Sequence, residues 1–149
     1  MRKILNFAHA YMILGVVSGF YYREITKLNG FTGDTQLSVV HTHLLALGML
    51  FLLLVLALEK LFALTSSRLF GWFFWIYNAG LALTVAMMTL HGTLTVLGHD
   101  SNEAIALAAG LGHILLTVGL VLLFITLGKR IPAKQAPTHP AEAAQPSTL

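Results

Sequence analysis

Five histidines, His9, His41, His43, His91 and His113, stand inside stretches of this chain that hold no Asp, Glu, Lys or Arg. Ionisable groups in an apolar layer are costly and mark functional sites. A neutral imidazole offers a lone pair to a transition metal, haem iron included. Their types and positions therefore raise ligand chemistry first. A second ligand type stands near one of them: Met87 and Met88 precede His91 by four and three residues, within one helical turn. Thioether with imidazole suits haem or copper.

The stretches that carry the histidines are Ile4–Tyr22, Leu37–Leu58, Leu69–Gly98 and Ala104–Gly128. Each is close to or longer than the ~20 residues a helix needs to cross ~30 Å of hydrocarbon. Of the 149 residues 56% are hydrophobic and 10% charged, with a mean hydropathy of +0.77. A soluble domain carries roughly 25% charged residues. The expected fold is all-α, a four-transmembrane-helix bundle forming one domain over residues 1–130, followed by a disordered tail over 131–149 that holds all four prolines. The basic N-terminus and apolar run imitate a signal peptide. No A-x-A-like cleavage site stands at the end of the run, directly before Tyr21-Tyr22-Arg23, so the run is read as the first helix.

The net charge of +3 does not indicate nucleic acid, because the basic residues sit at helix ends. Arg2, Lys3, Lys60, Arg68, Lys129, Arg130 and Lys134 fall on one side of the four-helix topology, and only Arg23 and Lys27 on the other. That asymmetry puts both termini in the cytoplasm of a bacterial cell and the protein in its cytoplasmic membrane. The absence of cysteine excludes disulfides, iron–sulfur clusters and covalent c-type haem.

Helix geometry sets the depths. His41 and His43 lie four and six residues past Leu37, about 6–9 Å below the outer end at ~1.5 Å per residue. His91 lies about 9 Å and His113 about 15 Å below the same face. These four share an outer layer. His9 lies near the inner end and is read as structural. His41 and His43, two apart, point about 200° from each other and cannot be neighbouring ligands of one metal.

The second pattern is Ala106, Ala109, Gly110, His113 and Thr117, small residues on one helical face around a histidine. A flat macrocycle could lie there, and close helix packing would use the same residues. Gly15 and Gly19 form a G-x-x-x-G pair, suited to contact within one subunit or between subunits. Trp72, Phe73, Phe74, Trp75 and Tyr77 read mostly as an interfacial aromatic belt. Arg23, then Lys27, are the expected partners of haem propionates at the outer face, unless Arg23 pairs with Glu24.

The string Tyr22-Arg23-Glu24-Ile25-Thr26-Lys27, with Phe31-Thr32-Gly33 and Val40-His41-Thr42-His43-Leu44-Leu45-Ala46-Leu47-Gly48, resembles an uncharacterised bacterial family of short four-helix membrane proteins. More distantly, His41-Thr42-His43 is similar to the H-x-H element of haem–copper oxidase subunit I. There one histidine of the pair ligates the high-spin haem and the other the low-spin haem. The layout also looks similar to polytopic haem proteins of the nitric-oxide response. The oxidase subunit is built of three four-helix arcs, so the resemblance implies a homotrimer here. It does not extend to the oxidase's cross-linked His–Tyr pair, so neither an oxygen-reducing centre nor a proton pump is expected.

The expected function is non-covalent b-type haem binding near the outer face, for electron transfer or binding of a diatomic gas such as O2 or NO. His113 is the first choice of axial ligand, followed by His43, His41 and His91. The partners are then haem, the lipid bilayer, further copies of the chain, and a redox partner or quinol. Two other readings stand beside it. One is a copper or other metal carrier using His41, His43, Met87, Met88 and His91. The other is a non-catalytic assembly subunit whose histidines only bind helices together.

Overall fold

The structure, a computed structural model, describes residues 1–100 and 102–131. Four helices long and apolar enough to cross a membrane make it up: α1 Arg2–Leu28, α2 Leu37–Phe62, α3 Arg68–Val96 and α4 Glu103–Arg130. The tail over 132–149 lies outside the described residues.

α3 is the centre. Its most apolar window is 44% buried, twice the 22% of α1 and α4. α1 and α2 pair on one flank, and both touch α3. α4 packs almost entirely on the other side of α3, with a further contact at the short turn Leu64–Ser66.

The helix ends follow from the turn residues. α1 continues through Leu28, past the loop start expected at Arg23, because charge alone does not stop a helix and Asn29-Gly30 does. Gly30 is left-handed at φ 58°, and the Phe31 N–H donates to the Thr26 carbonyl at 2.9 Å, a Schellman ending. α3 ends the same way at Gly98, φ 72°, with the His99 N–H on the Leu94 carbonyl at 2.9 Å. Of the two N-cap candidates the sequence offers for α4, Ser101 lies outside the described residues, and the cap is not Asp100. The Asn102 side chain accepts the Ala104 N–H at 3.1 Å, while Glu103 sits in the first turn as expected.

α2 is not a plain α-helix. After His43 it widens into a seven-residue π-helical segment, Leu44–Leu50, before resuming at Phe51. π turns leave carbonyls out of the usual ladder. Here the Tyr77 hydroxyl reaches across from α3 and donates to the Leu47 carbonyl at 2.9 Å. Gly48 lies against Tyr11 of α1, where an added Cβ would stand 2.7 Å from the Tyr11 Cβ. The α2–α3 connection is held by the buried Glu59 carboxylate, which accepts the Thr65 N–H at 2.7 Å and also the Thr65 hydroxyl.

The glycine pair of α1 packs inside the subunit. Gly15 abuts Leu45, and Gly19 faces His41. The aromatic cluster divides. Trp72 and Trp75 are 65% and 59% exposed and fit an interfacial belt, but Phe73, Phe74 and Tyr77 are buried core. Phe51 stacks on Tyr77 at 4.7 Å, and Phe7 of α1 meets Phe74 edge-on at 5.0 Å. Their spacing along α3 turns them inward, which a composition reading of the cluster does not see.

Candidate functional site

The histidines reach the surface from different helices. His43 stands at the end of the regular first part of α2. Its Nδ1 lies 2.9 Å from the carbonyl of Val39, one turn back. His113 repeats this on α4, with Nδ1 2.9 Å from the carbonyl of Ala109. A carbonyl oxygen only accepts, so Nδ1 carries the proton in both rings. In the neutral ring Nε2 then holds a lone pair directed away from the backbone, and the contact also fixes the ring's orientation.

His113 is exposed, as are Ala106, Gly110 and Thr117, with Ala109 half-buried. Close packing on α3 does not use this stripe. It uses Gly112, Leu116, Gly119 and Leu123, where an added Cβ at Gly119 would meet the Tyr77 backbone at 3.0 Å. An added Cβ at Gly110 would meet nothing within 4 Å. The small-residue face around His113 is therefore open.

His41 points the other way, toward α1. It lies beside Gly19, its Nδ1 has no hydrogen-bond partner, and its Nε2 is 3.5 Å from the Thr42 hydroxyl. The opposed directions expected for His41 and His43 are what the helix shows. His91 is half-buried on α3, and its Nδ1 is also unpartnered. It lines a shallow cavity of about 360 Å³ with Asp34, Thr35, Gln36, Ser38, Val39 and Thr95. His43 lies one turn beyond Val39 along α2, so His43 and His91 flank the same side of the α2–α3 seam. The Thr35 hydroxyl donates to the Gly92 carbonyl at 2.9 Å and fixes the outer loop against α3 there.

Met88 is buried in the core, and Met87, like His91, is half-buried. Arg23 and Lys27 are exposed on the last turns of α1. Arg23 Nε stands 3.9 Å from the Glu24 carboxylate, a loose pair in which both side chains are more than half exposed. Both cations belong to the flank of His41, because α1 does not pack on the α4 that carries His113. His9 is exposed near the opposite end of the bundle.

No three His, Asp or Glu side chains converge among the described residues. A bare divalent ion needs three or four protein ligands, whereas a haem iron brings its macrocycle and asks the protein for axial imidazoles. The donor set present fits the second requirement better than the first.

Sequence reasoning missed three polar features. They are the π segment, the Glu59–Thr65 clamp, and the buried pair in which the Tyr11 hydroxyl donates to Asn78 Oδ1 at 2.9 Å. Asn78 had a visible signal, as a lone amide in an uncharged span.

Fold and site together define a four-helix, membrane-length bundle with exposed imidazoles at His9 and His113 and half-buried ones at His41, His43 and His91. The chain belongs to a family described as a protein of unknown function (DUF2871), which matches residues 1–130. No curated protein and no solved structure matches it.

Proposed function

We propose that this chain is a membrane b-type haem protein, with His113 the first axial ligand and His43 the second choice. The observation that carries the reading is the Nδ1 contact each ring makes with the carbonyl one turn back. It leaves Nε2 free as a donor and spends Nδ1 on orientation, the arrangement of histidines that ligate metals. In hydrocarbon a free Nε2 lone pair has no water to meet, and a metal satisfies it. His41 and His91 stand at the same end of the bundle with unpartnered Nδ1 atoms and are the further ligand candidates. Arg23 and Lys27 are the proposed partners of propionates on the α1 flank.

Haem bound this way would supply electron transfer or binding of a diatomic gas. The protein's part is to hold and orient the imidazoles and to exclude water from them. Because His113 faces away from its own bundle, a second copy of the chain is proposed to cover the ring, with a homotrimer as the preferred assembly. That assembly follows the likeness to oxidase subunit I, which rests on the H-x-H element. The distribution of Lys and Arg supports cytoplasmic termini, and a redox partner or quinol completes the proposal.

The test is the absorption spectrum and pyridine haemochrome of protein purified in mild detergent from a haem-replete host. A strong Soret band is expected. His113→Ala should remove haem or weaken the ligand field, His43→Ala should perturb it, and His9→Ala should leave it intact. A colourless protein that takes up no haem on titration refutes the reading.

A further inference from the structure

Near the end of the bundle opposite the outer histidines, a groove of about 270 Å³ runs between α1 and α2, lined by Leu5, Ala8, His9, Met12, Met49 and Leu53. Three of those six side chains are metal donors, one imidazole and two thioethers. We propose that His9, Met12 and Met49 form a soft-metal site that takes monovalent copper. The site is independent of the haem reading.

Two features of the fold bring the donors to one groove. His9 and Met12 are three residues apart on α1, so they lie on the same side of it. Met49 belongs to the π-helical segment of α2. Its i→i+5 bonding adds a residue to the turn, so Met49 and Leu53 take directions that an unbroken α-helix from His43 would not give them. Within that segment Gly48 meets Tyr11 so closely that an added Cβ would stand 2.9 Å from Tyr11 Cδ1. The two backbones approach at Gly48, and the next residue is the thioether donor. Single-turn π segments occur often at functional sites, where they re-aim side chains.

The chemistry of the lining selects the ion. Thioether and imidazole are soft and borderline donors, and thioethers favour Cu(I). No carboxylate lines the groove, so nothing there suits magnesium or calcium. Both donor types are neutral, and a monovalent ion costs less to desolvate in apolar surroundings than a divalent one. The groove is also reachable. His9 is exposed, Met12 is 38% exposed, and Met49 is half-buried. Met49 packs partly against the core, whereas Met88 is covered at 7%.

The probe is Cu(I) itself, titrated anaerobically into the purified full chain against a chromophoric Cu(I) chelator. The wild type should hold one equivalent per chain. The Met12→Leu, Met49→Leu double variant keeps the apolar volume and removes both sulfurs. It should lose at least about tenfold in affinity, as should His9→Ala. Phe124→Leu, exposed on α4 and outside the groove, should bind as the wild type does, and unchanged helicity by circular dichroism confirms that the variants are folded. Haem content is read on the same samples and should not differ, so a failure of the haem reading leaves this result standing. A wild type that holds no Cu(I) against the chelator overturns the proposal. A double variant with unchanged affinity does the same.

Discussion

Gly110 and Gly112 stand two residues apart on α4 and face opposite surroundings, so one methyl group tests the packing of the helix that carries His113. In Gly112→Ala the new Cβ would stand 2.9 Å from Thr84 N and 3.1 Å from the Gly80 carbonyl oxygen, both backbone atoms of α3. A backbone cannot yield without moving the helix, and Gly80 is already close, with an added Cβ only 2.8 Å from Leu116 N. Overpacking of this kind costs about 1–3 kcal/mol. Exchanging glycine for alanine inside a helix returns about 0.8–1 kcal/mol. The net loss at Gly112 is therefore about 0–2 kcal/mol. Gly110→Ala meets nothing within 4 Å and keeps only the propensity gain. The two variants should differ by roughly 2 kcal/mol in unfolding by SDS from mixed micelles, read by circular dichroism. Because α4 is held almost entirely by α3, Gly112→Ala should also loosen whatever His113 binds. If Gly110→Ala is the more damaging of the pair, the face around His113 is the packed one. The argument that its imidazole is open to a ligand then fails.

Two further outcomes are expected. Fusions at Leu149 should fluoresce with a cytoplasmic reporter and stay inactive with an export-dependent phosphatase. The opposite pattern refutes the orientation drawn from the basic residues. Ala63 adopts φ 49°, a left-handed conformation that an L side chain resists. Ala63→Gly should therefore raise the SDS-unfolding midpoint by an amount worth about 0.5–1 kcal/mol, and a lower midpoint would show that the alanine methyl is used for packing.

The number and order of the spans were legible because burial in lipid requires long uncharged runs, and these runs are unambiguous in composition. The helix ends were legible only where glycine enforced them. Gly30 and Gly98 mark true ends, while the charges at Arg23 and Glu24 suggested an end where the helix continues. Which small residues of α4 face α3 could not be read, since two offset stripes, around Gly112 and around Gly110, both carry glycine. The π segment was hidden too. Leu44–Leu50 has the hydrophobicity of any buried helix, and its widening depends on the approach of Tyr11 and Tyr77 from neighbouring helices. The relative depth of the histidines needed only counting along helices. Their ring contacts needed coordinates.

Those contacts bear on the assembly-subunit alternative. If the histidines served only to bind helices together, their rings would hydrogen-bond across helix interfaces. Among the described residues that task falls to others. Tyr11 bonds Asn78, Tyr77 bonds the Leu47 carbonyl, Tyr21 meets Thr93 at 3.0 Å, and Thr35 bonds the Gly92 carbonyl. The ring contacts of His43 and His113 stay within their own helices, and that of His41 goes to its neighbour in sequence. Polar groups in a helix bundle are retained when they stabilise an interface or act on a ligand. The interfaces within this bundle are bridged by hydroxyls and an amide, and the ring contacts of His41, His43 and His113 add no bridge between its helices. The ring at His113, exposed on the far side of α4 from α3 with its Nδ1 held one turn back, serves no contact between the helices of its own bundle, so whatever it meets lies outside the chain.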